Sequence, residues 1–280
     1  MLVDLKASSL FSVEGKTVFL TGASGFLGRT FANALLQNGA TVIAVGRSER
    51  LVHACEMWAS QFGAARVHAI QVDMYDLAAF RAKLDEVAET HKIDVLINNA
   101  HELGPGTGFN VPEGSLENAS IEQFERNLTG GVYWPALTVQ KLGTRMKTRG
   151  HGSIINVATM YALVAPRPSL YEGTRFMNPP GYSASKAAMV AFTRYIASFW
   201  GPFNVRANAL IPGPFSNTED TTANAVNSAD PFLEKLKSFT ALNRIGRPHE
   251  LLGALLFLAS DASTFVTGQS IVVDGGWTAV

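Results

Sequence analysis

The 280-residue sequence predicts an α/β fold, in which helices cover both faces of a parallel sheet of about seven strands. Apolar runs of strand length alternate with segments of helical periodicity along the whole chain, as in a doubly wound domain. The first strand runs directly into a glycine-rich turn and a helix. No repeat, low-complexity tract or linker interrupts this alternation, so we expect a single domain over residues 1–280.

Composition excludes several classes of protein. Hydrophobic residues make up 47% of the chain and charged residues 16%, which is typical of a well-buried globular protein. Lys and Arg total 23, as do Asp and Glu, so nothing indicates binding to nucleic acid or to an anionic membrane. The single cysteine, Cys55, fits a reducing compartment. Asp4 and Lys6 interrupt the apolar stretch that a signal peptide needs, and no apolar run is long enough to span a bilayer. We therefore expect a cytoplasmic protein.

The segment from Thr17 to Gly28 reads TVFLTGASGFLG, a buried strand followed by the evenly spaced glycines Gly22, Gly25 and Gly28. A helix with regular apolar spacing follows and should end near Gly39. This order is the opening of a dinucleotide-binding βαβ unit of the Rossmann type. Glycine allows the backbone to approach a pyrophosphate, and the helix N-terminus favours the negative charge of that group. A glycine triplet alone is a weak signal, but the strand before it and the helix after it supply the required context.

The remaining elements continue the alternation. Six more strands are predicted, at residues 40–45, 67–72, 93–97, 153–157, 205–211 and 270–273. Further helices are predicted at residues 51–62, 77–87, 120–148, 182–199 and 250–259. Two stretches, residues 160–181 and 214–240, do not fit the alternation and are long for loops of a compact domain. Each follows a strand whose carboxyl end should lie at the ligand crevice, so we expect both to be insertions on the substrate side.

The helix predicted at 120–148 carries the clearest start signal. Ser120 and Gln123 should form a capping box at its first turn. The residues at helical spacing after that turn are expected to form its buried face, namely Phe124, Leu128 and Val132. Pro135 is expected to kink or interrupt the helix, because proline lacks the backbone N–H and its ring collides with the preceding turn.

Tyr182 and Lys186, in the sequence YSASK, lie four residues apart and therefore share one face of a predicted helix. A lysine ammonium beside a tyrosine favours the phenolate, which would lower the tyrosine pKa toward a value usable in proton transfer. The same spacing occurs by chance in many helices. Its position after the fifth strand of a dinucleotide-binding fold favours a functional pair.

In order along the chain, the motifs TGASGFLG, NNA, GSIINVAT, YSASK, PG and FVTGQSIVVDGG resemble those of the short-chain dehydrogenase/reductase superfamily. The resemblance implies that Tyr182 is the general acid in carbonyl reduction and the base in alcohol oxidation. It implies that Lys186 holds the nicotinamide ribose and lowers the tyrosine pKa. Asn127 matches the asparagine that maintains a water-linked proton relay to that lysine. Thr159 falls where the family usually has a serine that hydrogen-bonds the substrate oxygen.

The resemblance also implies a binding site for a dinucleotide. Asp73 resembles the aspartate at the adenine ring, Asn99 the residue that lies along the cofactor, and Pro212 with Gly213 the turn that supports the nicotinamide. The full expected cofactor-binding set is Gly22, Ser24, Gly25, Phe26, Leu27, Gly28, Arg47, Ser48, Asp73, Met74, Asn99, Ala100, Tyr182, Lys186, Pro212 and Gly213.

The chain departs from the family pattern in three places. Its glycines are spaced as in the extended branch of the superfamily, whereas its length and C-terminal motif are those of the short branch. Threonine replaces serine at position 159; its hydroxyl can do the same work, but its methyl group narrows the pocket. The 22 residues between Thr159 and Tyr182 exceed the number in most short-branch members.

The end of the second strand indicates the cofactor. A site selective for NAD would place Asp or Glu there, about 20 residues beyond the glycines, to bind the ribose 2′-hydroxyl. This chain has Gly46, Arg47 and Ser48 instead, and no acid before Glu49. A guanidinium at Arg47 can bind a 2′-phosphate through paired charge-assisted hydrogen bonds, and Arg50 adds charge. We therefore predict NADP over NAD; the alternative is that Arg47 is a solvated loop residue.

The resemblance also implies a function for this chain. It implies an NAD(P)-dependent oxidoreductase that interconverts a secondary alcohol and a ketone of a small-molecule substrate. The insertion resembles that of a subgroup linked to sugar acids and bacterial sugar modification, and it offers the polar side chains of Arg167, Glu172, Thr174, Arg175 and Asn178. A loop that packs on a neighbouring subunit would look the same. The alternatives are a 3-oxoacyl thioester reductase of the same superfamily, a non-catalytic dinucleotide-sensing regulator, and an S-adenosylmethionine methyltransferase, which would leave YSASK unexplained.

Three smaller expectations complete the sequence analysis. Family resemblance implies a homotetramer built from the helices at 120–148 and 182–200 and from the apolar C-terminal segment. No metal site is expected, because the six histidines lack ligand spacing and Cys55 lacks a partner. His101 stands where the family usually has glycine, and a site-lining role and an exposed loop position are both open. Tyr161 and Tyr171 are expected to serve in packing.

Overall fold

The computed structural model describes residues 6–173, 177–215 and 231–280. The strands are β1 (Thr17–Thr21), β2 (Thr41–Gly46), β3 (Val67–Gln71), β4 (Val95–Asn98), β5 (Gly152–Val157), β6 (Val205–Pro212) and β7 (Ser270–Val273). They form one parallel sheet in the order β3-β2-β1-β4-β5-β6-β7, which confirms the predicted fold. All seven predicted strands are present, with ends shifted by at most two residues. The strand order reverses between β1 and β4, where open α/β sheets bind their ligands.

The helices lie on both faces of this sheet. They are α1 (Ala7–Leu10), α2 (Phe26–Gln37), α3 (Glu49–Phe62), α4 (Leu77–Thr90), α5 (Ile121–Leu128), α6 (Trp134–Thr138), α7 (Thr144–Arg149), α8 (Pro168–Tyr171), α9 (Pro180–Trp200), α10 (Pro231–Ser238) and α11 (Leu252–Ala259). Alternate side chains of β1 supply the two cores: Val18 and Leu20 face α2, α3 and α11, whereas Phe19 faces α4, α6 and α9. Each large apolar side chain buried in this way contributes about 1.5–3 kcal/mol relative to an exposed one.

The long helix predicted at 120–148 is present, but two expectations about it are wrong. The capping box at Ser120 and Gln123 is confirmed. Pro135 does not interrupt the helix, because helical dihedrals continue through it from α5 to α7. Wider π turns at Thr129–Tyr133 and Val139–Gly143 break the regular hydrogen-bond ladder instead. A wide turn just before proline makes room for its ring and accommodates the missing N–H.

The buried face of this helix also differs from the expected one. Phe124, Leu128 and Val132 are only half-buried. The residues that face the core are mostly small or polar in the first turns, and include Asn127, Gly130, Gly131, Trp134, Leu137 and Thr138. Apolar spacing predicted the wrong face, because each π turn adds a residue to the helical repeat and because glycine and asparagine carry no apolar signal.

The helix α9 is locked to the sheet by a chain of buried side-chain hydrogen bonds. Asn98 on β4 donates from Nδ2 to Asn156 Oδ1 on β5 over 2.8 Å. Asn156 Nδ2 in turn donates to Thr193 Oγ1 on α9 over 2.8 Å. On the other side, Thr138 Oγ1 donates to Asn98 Oδ1 over 2.7 Å. All four residues are at most 2% exposed, so these bonds satisfy polar groups that have no access to water.

A close approach of backbones brings α9 against the long helix. Gly131 lies opposite Ser185, and a Cβ at Gly131 would lie 2.7 Å from the Cβ of Ser185. Any side chain at position 131 would therefore push the two helices apart. This contact sets the distance between Asn127, one turn before Gly131, and Tyr182, one turn before Ser185.

The two insertions pack together beside the carboxyl ends of β5 and β6. Leu170 from the first insertion and Leu236 from the second share a small buried cluster with Trp277 near the C-terminus. Lys235 Nζ ties α10 to α8 by donating to the carbonyl oxygens of Ser169 and Glu172, over 2.9 and 2.6 Å. Thr174, Arg175 and most of 214–240 up to residue 230 lie outside the described residues, as does the start of the N-terminal segment. Within the described ranges, no helix is long and apolar enough to cross a membrane.

The buried amide chain generates a stability prediction. Asn156→Ala removes two hydrogen bonds, so that Asn98 Nδ2 loses its acceptor and Thr193 Oγ1 loses its donor in the interior. At about 1–3 kcal/mol for each stranded group, we expect the free energy of unfolding to fall by about 2–5 kcal/mol. Urea unfolding at one fixed protein concentration measures the change. The control is Thr148→Ala, which removes one exposed hydrogen bond to Thr144 O and should cost less than about 0.5 kcal/mol. Equal losses in the two variants would contradict a structural role for the amide chain.

Candidate active site

One cleft of about 550 Å³ opens at the carboxyl ends of the strands. Every residue of the expected cofactor-binding set lines it, and so does Thr159. Asn127 is not among the lining residues and lies behind the cleft wall. The structure thus brings together in one cleft residues that follow strands as far apart in the sheet as β3 and β6.

The glycine turn leaves room for a ligand against the backbone. Gly22 has a φ of +66°, and a Cβ there would lie 2.9 Å from the Cα of Ala100. A Cβ on Gly28 would overlap the carbonyl oxygen of Gly22, so glycine at 28 allows α2 to pack directly on the turn. Gly25 precedes the first residue of α2, and the first three residues of that helix line the cleft. This cradle fits the pyrophosphate of a dinucleotide.

Asn99 braces this cradle. Its side-chain Nδ2 donates to the carbonyl oxygens of Thr21 and Gly22, over 3.1 and 3.2 Å. The hydroxyl of Thr21 accepts from the backbone N–H groups of Asn99 and Ala100, each at 3.0 Å. These bonds hold the end of β1 to the end of β4. Asn99 therefore presents a fixed surface to a bound cofactor.

Tyr182 and Lys186 lie in the first turns of α9, with Thr159 opposite them just after β5. Thr159 lines the same cleft as Tyr182, and its hydroxyl accepts from the backbone N–H of Tyr161 over 3.4 Å. Lys186 Nζ lies 6.0 Å from the centre of the Tyr182 ring and donates to the carbonyl oxygen of Val157 over 2.8 Å. Lys186 is 2% exposed, and Tyr182 is half-buried at the cleft.

Burial dominates the acid–base properties of this pair. It raises the pKa of Tyr182 to about 12, against a smaller lowering by the hydrogen bond from Thr159. Burial also lowers the pKa of Lys186 to about 7. Lys186 is not among the groups that shift the pKa of Tyr182 in this arrangement, since its Nζ bonds to the carbonyl oxygen of Val157 rather than to the phenol. The expectation that Lys186 lowers the tyrosine pKa stays a prediction.

Asn127 and His101 form a fixed pair behind Tyr182. Asn127 Nδ2 donates to the carbonyl oxygens of Thr107 and Gln123, over 2.9 and 2.8 Å, which turns Oδ1 toward His101 Nε2 at 3.1 Å. Nε2 must then carry the proton, since the amide oxygen can only accept. Burial lowers the pKa of His101 to about 3, so the ring is neutral. The ring packs edge-on against Tyr182, with the centroids 5.0 Å apart, and it lines the cleft. Of the two interpretations left open for His101, the structure supports the site-lining one.

At the end of the cleft where adenosine is expected from the sequence, beside Arg47, the carboxylate of Glu102 adds a negative charge that the sequence did not predict. Arg47, Ser48 and Arg50 line this end of the cleft as expected. Glu102 also lines it and lies 3.4 Å from Arg47, between its Oε1 and the Arg47 Nη2. The other carboxylate oxygen of Glu102 accepts from Tyr75 and Arg126, each over 2.7 Å. Local sequence shows no sign of this contact, because Arg47 and Glu102 are 55 residues apart.

In the described part of the first insertion, beside Tyr182, polar side chains already contact other residues of the chain. The guanidinium of Arg167 donates to Val280 O over 2.6 Å and lies over the Trp277 ring, so it is engaged within the chain. Tyr171 donates to the Tyr161 hydroxyl over 3.0 Å, and both rings pack in the cluster around Trp277, as expected. Within the described ranges, no group of three or more His, Cys, Asp or Glu side chains could hold a metal ion.

Comparisons with known proteins agree with this geometry. The family model described as enoyl-(acyl carrier protein) reductase matches residues 22–278. Sorbose reductase of Schizosaccharomyces pombe is 33% identical over 277 residues, which cover 96% of this chain and 98% of that protein. The structure of a gluconate 5-dehydrogenase from Burkholderia cenocepacia, in complex with NADP and tartrate, is 29% identical with a TM-score of 0.81 and covers 98% of this chain and 100% of that chain.

A second solved structure is similar over the same length. L-sorbose reductase from Gluconobacter frateurii, complexed with NADPH and L-sorbose, is 25% identical with a TM-score of 0.81 and covers 97% of this chain and 99% of that chain. The family model and the relative at 33% identity both extend over nearly the whole chain. The protein therefore belongs to the family that this model describes, within the short-chain dehydrogenase/reductase superfamily of NAD(P)-dependent oxidoreductases.

Proposed function

We propose that this oxidoreductase uses NADP and interconverts a ketone and a secondary alcohol within a hydroxyl-rich substrate of the sugar or sugar-acid class. The observation that carries the proposal is that the hydroxyl-bearing side chains of Tyr182 and Thr159 line the same cleft as the dinucleotide cradle of Gly22, Gly25 and Gly28. Two adjacent hydroxyls at a site with no metal-binding group among the described residues suit proton transfer to a single substrate oxygen.

Each of these side chains has a definable task. The bound cofactor supplies or accepts a hydride at its nicotinamide ring. Tyr182 holds the proton that the substrate oxygen takes up on reduction, and its raised pKa keeps that proton in place until negative charge develops on the oxygen. The Thr159 hydroxyl donates a second hydrogen bond to the same oxygen as its charge grows. Lys186, whose pKa of about 7 allows it to gain or lose a proton near neutral pH, is suited to restoring the proton of Tyr182.

Asn127 and His101 support this proton path from behind. The Asn127 amide nitrogen donates to two backbone carbonyl oxygens, which fixes the orientation of the amide group. His101 stays neutral, so it adds no positive charge that would disfavour the Lys186 ammonium further. We propose that this pair holds the water-linked relay in place rather than passing charge itself.

The substrate class is supported by relatives and by the first insertion, next to Tyr182. The relatives described above are named for sorbose and gluconate. In the first insertion, four residues before Tyr182, Asn178 Oδ1 is buried, and no described residue donates a hydrogen bond to it. Such an acceptor would be satisfied by a hydroxyl of the substrate. We propose that both insertions, 160–181 and 214–240, form the substrate side of this single domain.

A substrate screen tests the function. Consumption of NADPH should be fastest with ketoses and keto sugar acids, and slow with 3-oxoacyl thioesters and steroid ketones. Tyr182→Phe should lower turnover by roughly 10²–10⁴-fold while changing the dissociation constant for NADPH little, because the ring remains and only the proton donor is lost. The control is Tyr171→Phe, which removes a hydroxyl next to Tyr161 and should leave turnover within about tenfold. Rapid turnover of thioesters with none of sugars, or near-normal turnover by Tyr182→Phe, would contradict the proposal.

NADP is proposed over NAD because the end of β2 is cationic and faces the cleft. Arg47 and Arg50 both line it, and Ser48 adds a hydroxyl. The related gluconate 5-dehydrogenase and L-sorbose reductase were solved with NADP and NADPH. A guanidinium on a phosphate contributes roughly 1.5–3 kcal/mol, or about ten- to a hundredfold in affinity.

Arg47→Ala tests this preference. It should weaken NADPH binding by about ten- to a hundredfold and leave NADH binding nearly unchanged, because only the 2′-phosphate needs the guanidinium. The ratio of catalytic efficiencies with the two cofactors measures the effect, with the exposed Arg81→Ala on α4 as the control. A wild-type preference for NAD, or a ratio that Arg47→Ala does not change, would refute the choice of cofactor.

A homotetramer in the cytoplasm is proposed on the basis of exposed apolar side chains on the long helices. Tyr195 and Phe199 stack on the outer face of α9 with ring centroids 4.3 Å apart, and each is 58% exposed. Ile121 and Tyr133 are exposed on the neighbouring long helix. Two such faces would cover one another. The sole cysteine, Cys55, is buried and forms no disulfide, as the cytoplasm favours.

Light scattering at micromolar concentration should give a mass about four times the 30.1 kDa of the chain. Phe199→Lys should reduce that mass, because it places a charge in the proposed interface. Met57→Lys, at an equally exposed position on α3 across the sheet, is the matched control and should not change it. A monomeric wild type would rule out the proposed assembly.

A further inference from the structure

The adenosine end of the cleft contains an acid for which the reaction has no use. Glu102 follows the Asn98-Asn99-Ala100 segment after β4, and its side chain is only 18% exposed. It lines the same cleft as Arg47, whose side chain is 54% exposed. The two charges lie 3.4 Å apart between Glu102 Oε1 and Arg47 Nη2. The guanidinium proposed to bind a 2′-phosphate thus already has a carboxylate partner.

Two donors fix Glu102 in this place. The Tyr75 hydroxyl and the Arg126 guanidinium each donate to Oε2 over 2.7 Å, and Arg126 also lies 3.9 Å from the centre of the Tyr75 ring. Burial alone would raise the pKa of Glu102, but the hydrogen bonds from Tyr75 and Arg126 outweigh burial and lower it. The carboxylate is therefore charged at neutral pH and does not depend on Arg47 to stay in position.

Arg47, by contrast, is held by little else at its charged end. Its contact with Glu102 is longer than the 2.7 Å contacts that Glu102 makes with its two other partners, and the guanidinium is largely in solvent. Solvent-exposed ion pairs of this kind are weak. A 2′-phosphate carries negative charge into the same corner, so it must compete with Glu102 for Arg47 and is repelled by the carboxylate. A 2′-hydroxyl neither competes with Glu102 for Arg47 nor is repelled by the carboxylate.

We propose that Glu102 is a specificity-determining residue that restrains Arg47 and so limits the preference of this enzyme for NADP over NAD. The inference rests on the proposed function, because it assigns Arg47 to the 2′-phosphate. Arg47 favours NADPH binding and Glu102 disfavours it. The selectivity for NADPH over NADH is the difference between these two effects. With the carboxylate charge removed, the guanidinium is free and the corner gains one unit of positive charge.

The test is a double-mutant cycle on direct cofactor binding. Dissociation constants for NADPH and NADH are measured by titrating cofactor fluorescence with wild type, Glu102→Gln, Arg47→Ala and the double variant. Glutamine keeps an oxygen that can accept from Tyr75 and Arg126, and thermal unfolding checks that the fold is kept. We expect Glu102→Gln to tighten NADPH binding by about three- to tenfold and to change NADH binding by less than about twofold. In the Arg47→Ala background the same substitution should have less than about a twofold effect on NADPH.

Glu49→Gln is the matched control. Glu49 is an acid of the same neighbourhood whose carboxylate accepts from Gln71 over 3.0 Å and does not line the cleft. Its substitution should change the NADPH to NADH ratio by less than about twofold. The inference is overturned if Glu102→Gln leaves NADPH binding unchanged, tightens both cofactors equally, or acts as strongly without Arg47. If Arg47→Ala lowers the NADPH preference and Glu102→Gln does not raise it, the restraint alone is wrong. If Arg47→Ala has no effect on the preference, the choice of NADP fails and the restraint fails with it.

Discussion

The position of α9 on the sheet is the constraint on which the active site depends. The buried amides of Asn98 and Asn156 join β4 to β5, and Thr193 extends the chain of bonds to α9. Both side-chain amides bond to partners on two sides, so a shift of α9 along the sheet would leave polar groups without partners in the interior. Tyr182 and Lys186 lie two to three turns before Thr193 on the same helix. Their placement beside β5 is therefore set by hydrogen bonds that never touch the ligand.

The two ends of the cleft differ in their electrostatics. At the end that holds Tyr182 and Lys186, burial shifts the pKa of each group toward its neutral form. Interactions made there act in a low dielectric, so a substrate charge would be stabilised strongly by the few donors that face it. At the end that holds Arg47 and Glu102, the groups are partly in solvent and already charged. Their interactions are weak singly, which makes this end suited to adjusting selectivity rather than to chemistry.

The glycine positions contribute in a different way from the polar ones. Gly22 and Gly28 allow the end of β1, the start of α2 and the end of β4 to meet without side chains between them. Gly131 does the same between the long helix and Ser185 of α9. The first contact makes the cradle, and the second brings Asn127 close to the helix of Tyr182. Close backbone approach thus shapes both the glycine turn and the surroundings of Tyr182 in one cleft.

The sequence by itself determined the strand–helix alternation, the glycine turn and the pair Tyr182–Lys186. All three are local: strand and helix periodicity, a strand-to-helix junction, and an i,i+4 spacing are readable within about a dozen residues. Only the tertiary structure decided the buried face of the long helix, because π turns shift its repeat and Asn127 and Gly131 carry no apolar signal. Likewise, the raised pKa of Tyr182 and the pairing of Arg47 with Glu102 required the folded chain. Desolvation and long-range charge contacts depend on what surrounds a group in space, which no window of sequence contains.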